Sequence, residues 1–316
     1  MAKFKQIDLK KVKTISIKSR KSNVTPADFA KVYSPQKNFL DFEKSLPNTL
    51  AVKDLKALVE DIVFANTKKK PVIVLIGAHV IKVGLSPLII DLVKKGIITT
   101  VGMNSAAAIH DVETAMWGKT SEDVAVNIMD GYFGMARETG DLINNTLKTL
   151  SANSDLGYGE AIGSELIKRK APFLKFSILA ACYKSGVPVT VHAAIGTDII
   201  HQQPTMNGAA TGEMSFRDFK VLCSSVKDLT GGGVVLNIGS AVIMPEVFLK
   251  ALTITRNLGY KTAGFTTANF DMLHHYRPLM NIVTRPTQGG GRGYNFTGHH
   301  EIMIPLLSAM IKNRIR

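Results

Sequence analysis

The 316-residue sequence predicts an α/β fold with a mostly parallel, Rossmann-like sheet and helices on both faces. Two observations carry that expectation. Several short, almost wholly apolar runs end in glycine or a small polar residue, as strands buried on both faces do. Between them lie segments whose apolar residues recur every three or four positions, the period of a helix laid against a sheet.

Taken in order, residues 1–49 read as a basic arm and linker, because Pro26, Pro35 and Pro47 interrupt any long helix. Leu50 to Thr67 has amphipathic helical spacing and stops at Lys68-Lys69-Lys70-Pro71. The first strand lies in PVIVLIGAH, with the helical SPLIIDLVKKG after it. GIITTVGMNS leads into AAAIHDVETAMWG, and GVPVTVHAAIGTD follows the helical FLKFSILAACYKSG. GGGVVLNIGS leads into MPEVFLKALTITRNLG, GYKTAGFTTANFD is a fifth strand, and MNIVTRP is a sixth. Strand ends are expected near Gly77, Asn104, His192, Gly239 and Thr267. The interval 117–186 reads as a helical insertion within a single domain covering 50–316. An eight-stranded barrel would need more strands than these six, and no constant-period repeat suggests a solenoid.

Composition narrows the function. A hydrophobic share of 45% with 20% charged residues is that of a globular protein. No uncharged apolar run approaches the roughly 20 residues of a membrane span, and the start MAKFKQIDLKKVK lacks the core of a secretory signal. Cys182 and Cys223 form no disulfide framework and no CxxC pair, so a cytoplasmic protein of a reducing compartment is expected. The net charge of +14 is unevenly spread: residues 1–22 hold eight Lys or Arg against Asp8 alone, half of the total. No RNA-binding pattern follows, so the arm reads as a solvated tail and nucleic acid as an unfavoured partner.

In open α/β sheets ligands bind beyond the carboxyl ends of the strands. Five loops therefore become candidates: Gly77-Ala78-His79, Met103-Asn104-Ser105, His192 to Asp198, Gly239-Ser240-Ala241 and Thr266 to Asp271. Their small residues let a ligand reach the backbone, and Gly239-Ser240 between strand and helix resembles a phosphate seat. For each loop taken alone, tight-turn geometry explains the glycine equally well. Asp198 and Asp271 end strand segments, and two carboxylates in one crevice would suit a cationic substrate such as a polyamine. Asp111 and Glu113 open a helix, where they also complement its dipole. The histidines His192, His201, His275 and His299 have no metal-ligand spacing, and no metal is expected. Gly157-Tyr158-Gly159-Glu160-Ala161-Ile162-Gly163 is near a dinucleotide fingerprint but follows no strand; Walker A, GxSxG and HExxH patterns are absent.

From Pro71 to the C-terminus the chain resembles deoxyhypusine synthase, especially the synthase-like proteins of bacteria and archaea. The carriers are GAHVIKVGLSPLIIDLVKKGIITTVGMNSAAAIHDVE, SGVPVTVHAAIGTDIIH, GGGVVLNIGSAVIMPEVF, FTTANFD and the late IPLL. The resemblance implies a Rossmann-like fold, NAD as cofactor, and a homotetramer with active sites at subunit interfaces. The implied reaction is dehydrogenation of spermidine by NAD, then aminobutyl transfer through an enzyme-lysine imine. By position, Gly77, His79, Asn104, Ser105, Gly239, Ser240, Thr267 and Ala268 are the implied cofactor contacts. Asp198 and Asp271 are the implied acidic positions, with His192 beside them in the candidate catalytic set. Lys82 is a candidate nucleophile or phosphate contact. The chain departs from the family in having no lysine between Lys261 and Lys312, where the family's catalytic lysine lies, and in carrying His299 where the family has an aspartate. Arginine does not form the imine. Two expectations result: an NAD-dependent transferase acting on a polyamine or other small amine, or an altered family member that binds such ligands as a sensor or assembly protein.

Overall fold

A computed structural model describes residues 2–315. The chain divides into two compact units, one ending at Lys53 and one beginning at Asp54. In the first, residues 2–27 are exposed throughout. Helix α1 (Phe39–Ser45) begins at Asn38, whose side chain accepts a hydrogen bond from the Asp41 N–H.

Helix α2 (Leu50–Thr67) then precedes β1 (Val72–Ile76), α3 (Ala78–Lys82) and α4 (Ser86–Lys94). Next come β2 (Thr100–Asn104), α5 (Ser105–Trp117), α6 (Val124–Asn127), α7 (Arg137–Asn153), α8 (Tyr158–Lys168) and α9 (Ile178–Ser185). The chain continues through β3 (Val189–His192), α10 (Gly208–Val226), β4 (Val234–Ile238) and α11 (Ile243–Asn257). It ends with β5 (Thr266–Asp271), α12 (Tyr276–Pro278), β6 (Arg292–Thr297) and α13 (His300–Arg314). All six strands are parallel, in the order β3-β2-β1-β4-β5-β6. The order reverses between β1 and β4, which makes that junction the topological switch point.

Alternation along the strands explains why they are apolar throughout. Ile73 and Leu75 of β1 and Val235 of β4 pack with Leu222 and Val226 of α10 and Phe248 and Leu252 of α11. Val72, Val74, Leu236 and Ile238 point the other way, meeting Ile62 of α2, Ile89 of α4 and Ile304 and Leu307 of α13. Both faces are dry, so neither set can be polar; each buried side chain stabilises by roughly 1.5–3 kcal/mol.

Two sequence expectations are corrected. MNIVTRP is not a strand: Leu279–Thr284 forms a π-helical turn. The Ile282 side chain is spaced to enter the core beside Phe248, and Asn281 donates to Glu246 of α11, so helical packing overrides the β-branched composition. The sixth strand is instead RGYNFT, a half-exposed edge whose pattern is too polar to stand out. Strand β5 also ends at Asp271 rather than near Thr267. Among the described residues, no helix is long and apolar enough to cross a membrane.

Candidate active site

The register places Gly77, Asn104, His192, Gly239 and Asp271 along one rim, each at or just past the end of its strand. Thr267 and Ala268 are not there. They pair with Val235 and Leu236 inside the sheet, fully buried, and Thr267 lies about 13 Å along the strand from the Asp271 end.

At the switch point two backbones touch. The Gly77 N–H donates to Ile238 O and the Gly239 N–H to Phe270 O, each at 3.0 Å. A Cβ on Gly77 would stand 2.0 Å from the Gly239 carbonyl oxygen, and Gly239 has φ of +66°, so glycine is required at both. His300, 1% exposed, lies against Gly239 and donates from Nε2 to the Phe270 carbonyl at 3.1 Å. The His300 Nδ1 is buried and has no hydrogen-bond partner. The His79 ring is 5.3 Å from that of His300; burial first, then the neighbouring His300, pushes His79 below the usual histidine range. Ser240 is buried, and its hydroxyl accepts from the Met244 N–H at 3.2 Å. The carbonyl of Ser240 accepts from Asn237, first in a ladder Asn237–Asn269–Asn295 that crosses β4, β5 and β6. The two glycines thus pack backbone on backbone at the switch point, the place where open parallel sheets take their ligands.

A cavity of about 700 Å³ opens on the β2–β3 side of the same rim. One stripe of α5 forms its floor: Ala106, Ile109, His110, Glu113 and Trp117, at the three- and four-residue spacing of one helix face. Helix α5 is aimed there by its start, where Asn104 accepts the Ala107 N–H at 3.0 Å. Lys82 at the end of α3, the segment 119–124, the approach to α7 and the turn 197–199 complete the wall. Glu113 accepts hydroxyl hydrogen bonds from Thr120 at 2.5 Å and Thr139 at 3.0 Å. The His110 Nδ1 lies 2.6 Å from the Thr120 oxygen. Burial first, then the Lys82 charge, pushes His110 down to about 4, despite the Glu113 carboxylate 3.8 Å away. Asp198 accepts the Ser105 hydroxyl, and burial raises its pKa against that hydrogen bond. Beside it, His201 Nδ1 accepts the Gly196 and Asp198 N–H groups at 3.1 Å.

The fold thus brings Lys82 and Asp198 to one cavity, with Ser105 buried behind Asp198, and Gly77, His79, Gly239 and Ser240 to the adjacent switch point. It does not bring Asp271 to Asp198. Ser105, just after β2, holds Asp198, while Asp271 lies three strand spacings away, about 14 Å, with its Oδ1 taken by the Met272 and Leu273 N–H groups. His192 is buried beside Thr190, and burial depresses it to about 3. Asp111 is fully buried and holds the start of α9 through Ser177, Ile178 and Leu179. The glycines of the 157–163 run serve packing: a Cβ on Gly159 would meet the Val189 carbonyl at 2.2 Å. Among the described residues, no three His, Cys, Asp or Glu side chains gather as metal ligands. The sequence reading missed His110, Trp117 and His300. The first two had a signal, since they share the Glu113 face of a helix that starts at a strand end.

No family model matches the chain, and no curated protein matches it in sequence. Solved structures do. A candidate deoxyhypusine synthase from Entamoeba histolytica superposes with a TM-score of 0.55 at 12% identity, over 90% of this chain and 96% of that one. The fold is deoxyhypusine-synthase-like. A conserved candidate LOR/SDH protein from Methanococcus maripaludis S2 gives a TM-score of 0.52 at 16% identity, over 83% of this chain and 69% of that one. AgrE, solved as a ternary complex with ornithine and NAD⁺, gives 0.51 at 14% identity; 83% of this chain spans only 33% of AgrE.

Proposed function

We propose that the protein is an NAD-dependent enzyme that acts on a small amine, with dinucleotide in the Gly77–Gly239 crevice and amine in the adjacent cavity. One observation carries the reading. In a chain of net charge +14, the cavity wall has four carboxylates (Glu113, Glu122, Glu138 and Asp198) against two lysines, Lys82 and Lys119. Its wall also includes Trp117, the single tryptophan of the sequence, the strongest aromatic platform for a cation. Carboxylates and an indole face attract and orient an ammonium, and the apolar Ile109, Val124 and Phe133 accept a methylene chain. NAD, when bound, supplies the oxidant. Gly77, His79, Gly239 and Ser240, at the carboxyl ends of β1 and β4, are the residues that would hold it. Lys82 opens onto the cavity and is our candidate for a nucleophile. A cytoplasmic homo-oligomer is part of the proposal; Leu273, Tyr276 and Ile302, all about two-thirds exposed near the rim, favour assembly.

Thermal unfolding with NAD, spermidine, 1,4-diaminobutane and ornithine tests the reading, alongside NADH fluorescence. Ligand at a hundredfold excess over its dissociation constant stabilises by about 2.7 kcal/mol, several degrees in melting temperature. An unchanged melting temperature with NAD refutes the assignment. A second reading, a binding protein without turnover, is favoured by the lack of lysine between Lys261 and Lys312. It requires NAD and amine to bind together with no NADH formed.

A further inference from the structure

The wall of the cavity contains a hydrogen-bond chain whose polarity is fixed by chemistry. The Glu113 carboxylate only accepts, so the Thr120 hydroxyl must spend its single proton on Oε2 at 2.5 Å. The Thr120 oxygen then receives the other contact, so the hydrogen shared across its 2.6 Å separation from His110 Nδ1 must sit on that nitrogen. Neutral imidazole carries one ring proton, so Nε2 holds a bare lone pair. Thr139 binds the second Glu113 oxygen at 3.0 Å and stops the carboxylate from turning away. His110 lines the cavity with its side chain 18% exposed, and burial keeps the ring neutral at physiological pH.

We infer that His110 Nε2 is a specificity-determining acceptor that receives one N–H of the substrate's ammonium group, oriented through Thr120 by Glu113. The inference rests on the amine reading above and deepens it. The charged groups lining the same cavity are Lys82, Lys119, Glu113, Glu122, Glu138 and Asp198. The four acids supply charge, which attracts any cation; a directed lone pair supplies geometry, which distinguishes a protonated amine from a quaternary ammonium of equal charge. His110 is a substrate contact, and Thr120 and Glu113 are positioning residues.

The test uses the full-length protein labelled with ¹⁵N-histidine and titrated with spermidine, and with fully N-methylated spermidine as the control. In the free protein the His110 resonances should show the Nδ1–H tautomer, and spermidine should move the Nε2 resonance. His110→Leu should weaken spermidine binding about tenfold by calorimetry, as loss of a hydrogen bond to a charged group does, and leave the methylated control unchanged. Thr120→Val, on a part-exposed segment, keeps His110 and removes its anchor; it should release the Nε2–H tautomer and weaken spermidine several-fold. If wild type binds spermidine but His110→Leu binds it equally well, or the Nε2 resonance does not move, the inference is overturned while the amine reading stands. If wild type binds no amine, both fall.

Discussion

The two halves of the carboxyl rim are built by different means. At the switch point, Gly77 and Gly239 meet backbone to backbone, and a single methyl group would collide with a carbonyl. The cavity beside β2 and β3 is walled by side chains from one face of α5 and from connecting segments. The crevice is therefore a fixed shape that tolerates almost no substitution, while the cavity is a set of exchangeable groups on a rigid helix. Fixed backbone suits an invariant ligand such as a dinucleotide; exchangeable side chains suit the ligand that differs between relatives.

The contrast can be broken most severely at Gly77. Gly77→Ala puts a Cβ 2.0 Å from the Gly239 carbonyl. It should destabilise by about 3 kcal/mol and abolish stabilisation by NAD, both read from thermal melts. Support for the cavity half is tested at Asp218, which is 1% exposed and accepts the Gly159 N–H at 2.8 Å and the Val191 N–H at 2.6 Å. Both bonds fall on Oδ2, so Asp218→Leu leaves two buried N–H groups without an acceptor and should cost about 2–3 kcal/mol in chemical denaturation, whereas Asp218→Asn keeps one oxygen there and should cost less, with the NAD response retained in both.

Acid separates the regions further. His192, beside the cavity half, is depressed from 6.5 to about 3 by burial, so the folded state favours its neutral form. Its stabilising contribution is whole above pH 6.5 and is lost as pH falls toward 3. Stability should decline by up to about 1.4 kcal/mol per pH unit from this group in that window, and His192→Leu should flatten the slope of denaturant midpoint against pH. A smaller effect sharpens the charge argument. Trp117→Leu should weaken spermidine binding about threefold to tenfold with little change in melting temperature. Lys82→Met should be smallest and opposite in sign. Removing a cation from the acidic wall should tighten amine binding about twofold, measured by calorimetry at low salt.

How far the sequence reaches is visible in particular residues. The apolar runs around Ile73–Ile76 and Val234–Ile238 declare strands because both of their faces are buried. Edge strand β6 was illegible for the opposite reason: half exposed, RGYNFT has no apolar run to read. Gly77, Asn104, His192 and Gly239 were legible as strand ends, whereas Thr267 was placed four residues short because nothing in TTANFD marks where pairing stops. Asp111 and Glu113 look alike in sequence, yet one is sealed beneath α9 and the other faces the cavity. Only the rotation of α5 separates them.

By itself, then, the sequence determined the parallel sheet, its helices and the rim to which ligands would come, since hydrophobic period and glycine placement act locally along the chain. Tertiary structure alone decided that Asp198 joins Ser105 and the cavity while Asp271 stands apart, and that His110, Thr120 and Glu113 form one directed chain. Strand order and helix rotation set those neighbours, and neither is written in the spacing of residues along a single segment.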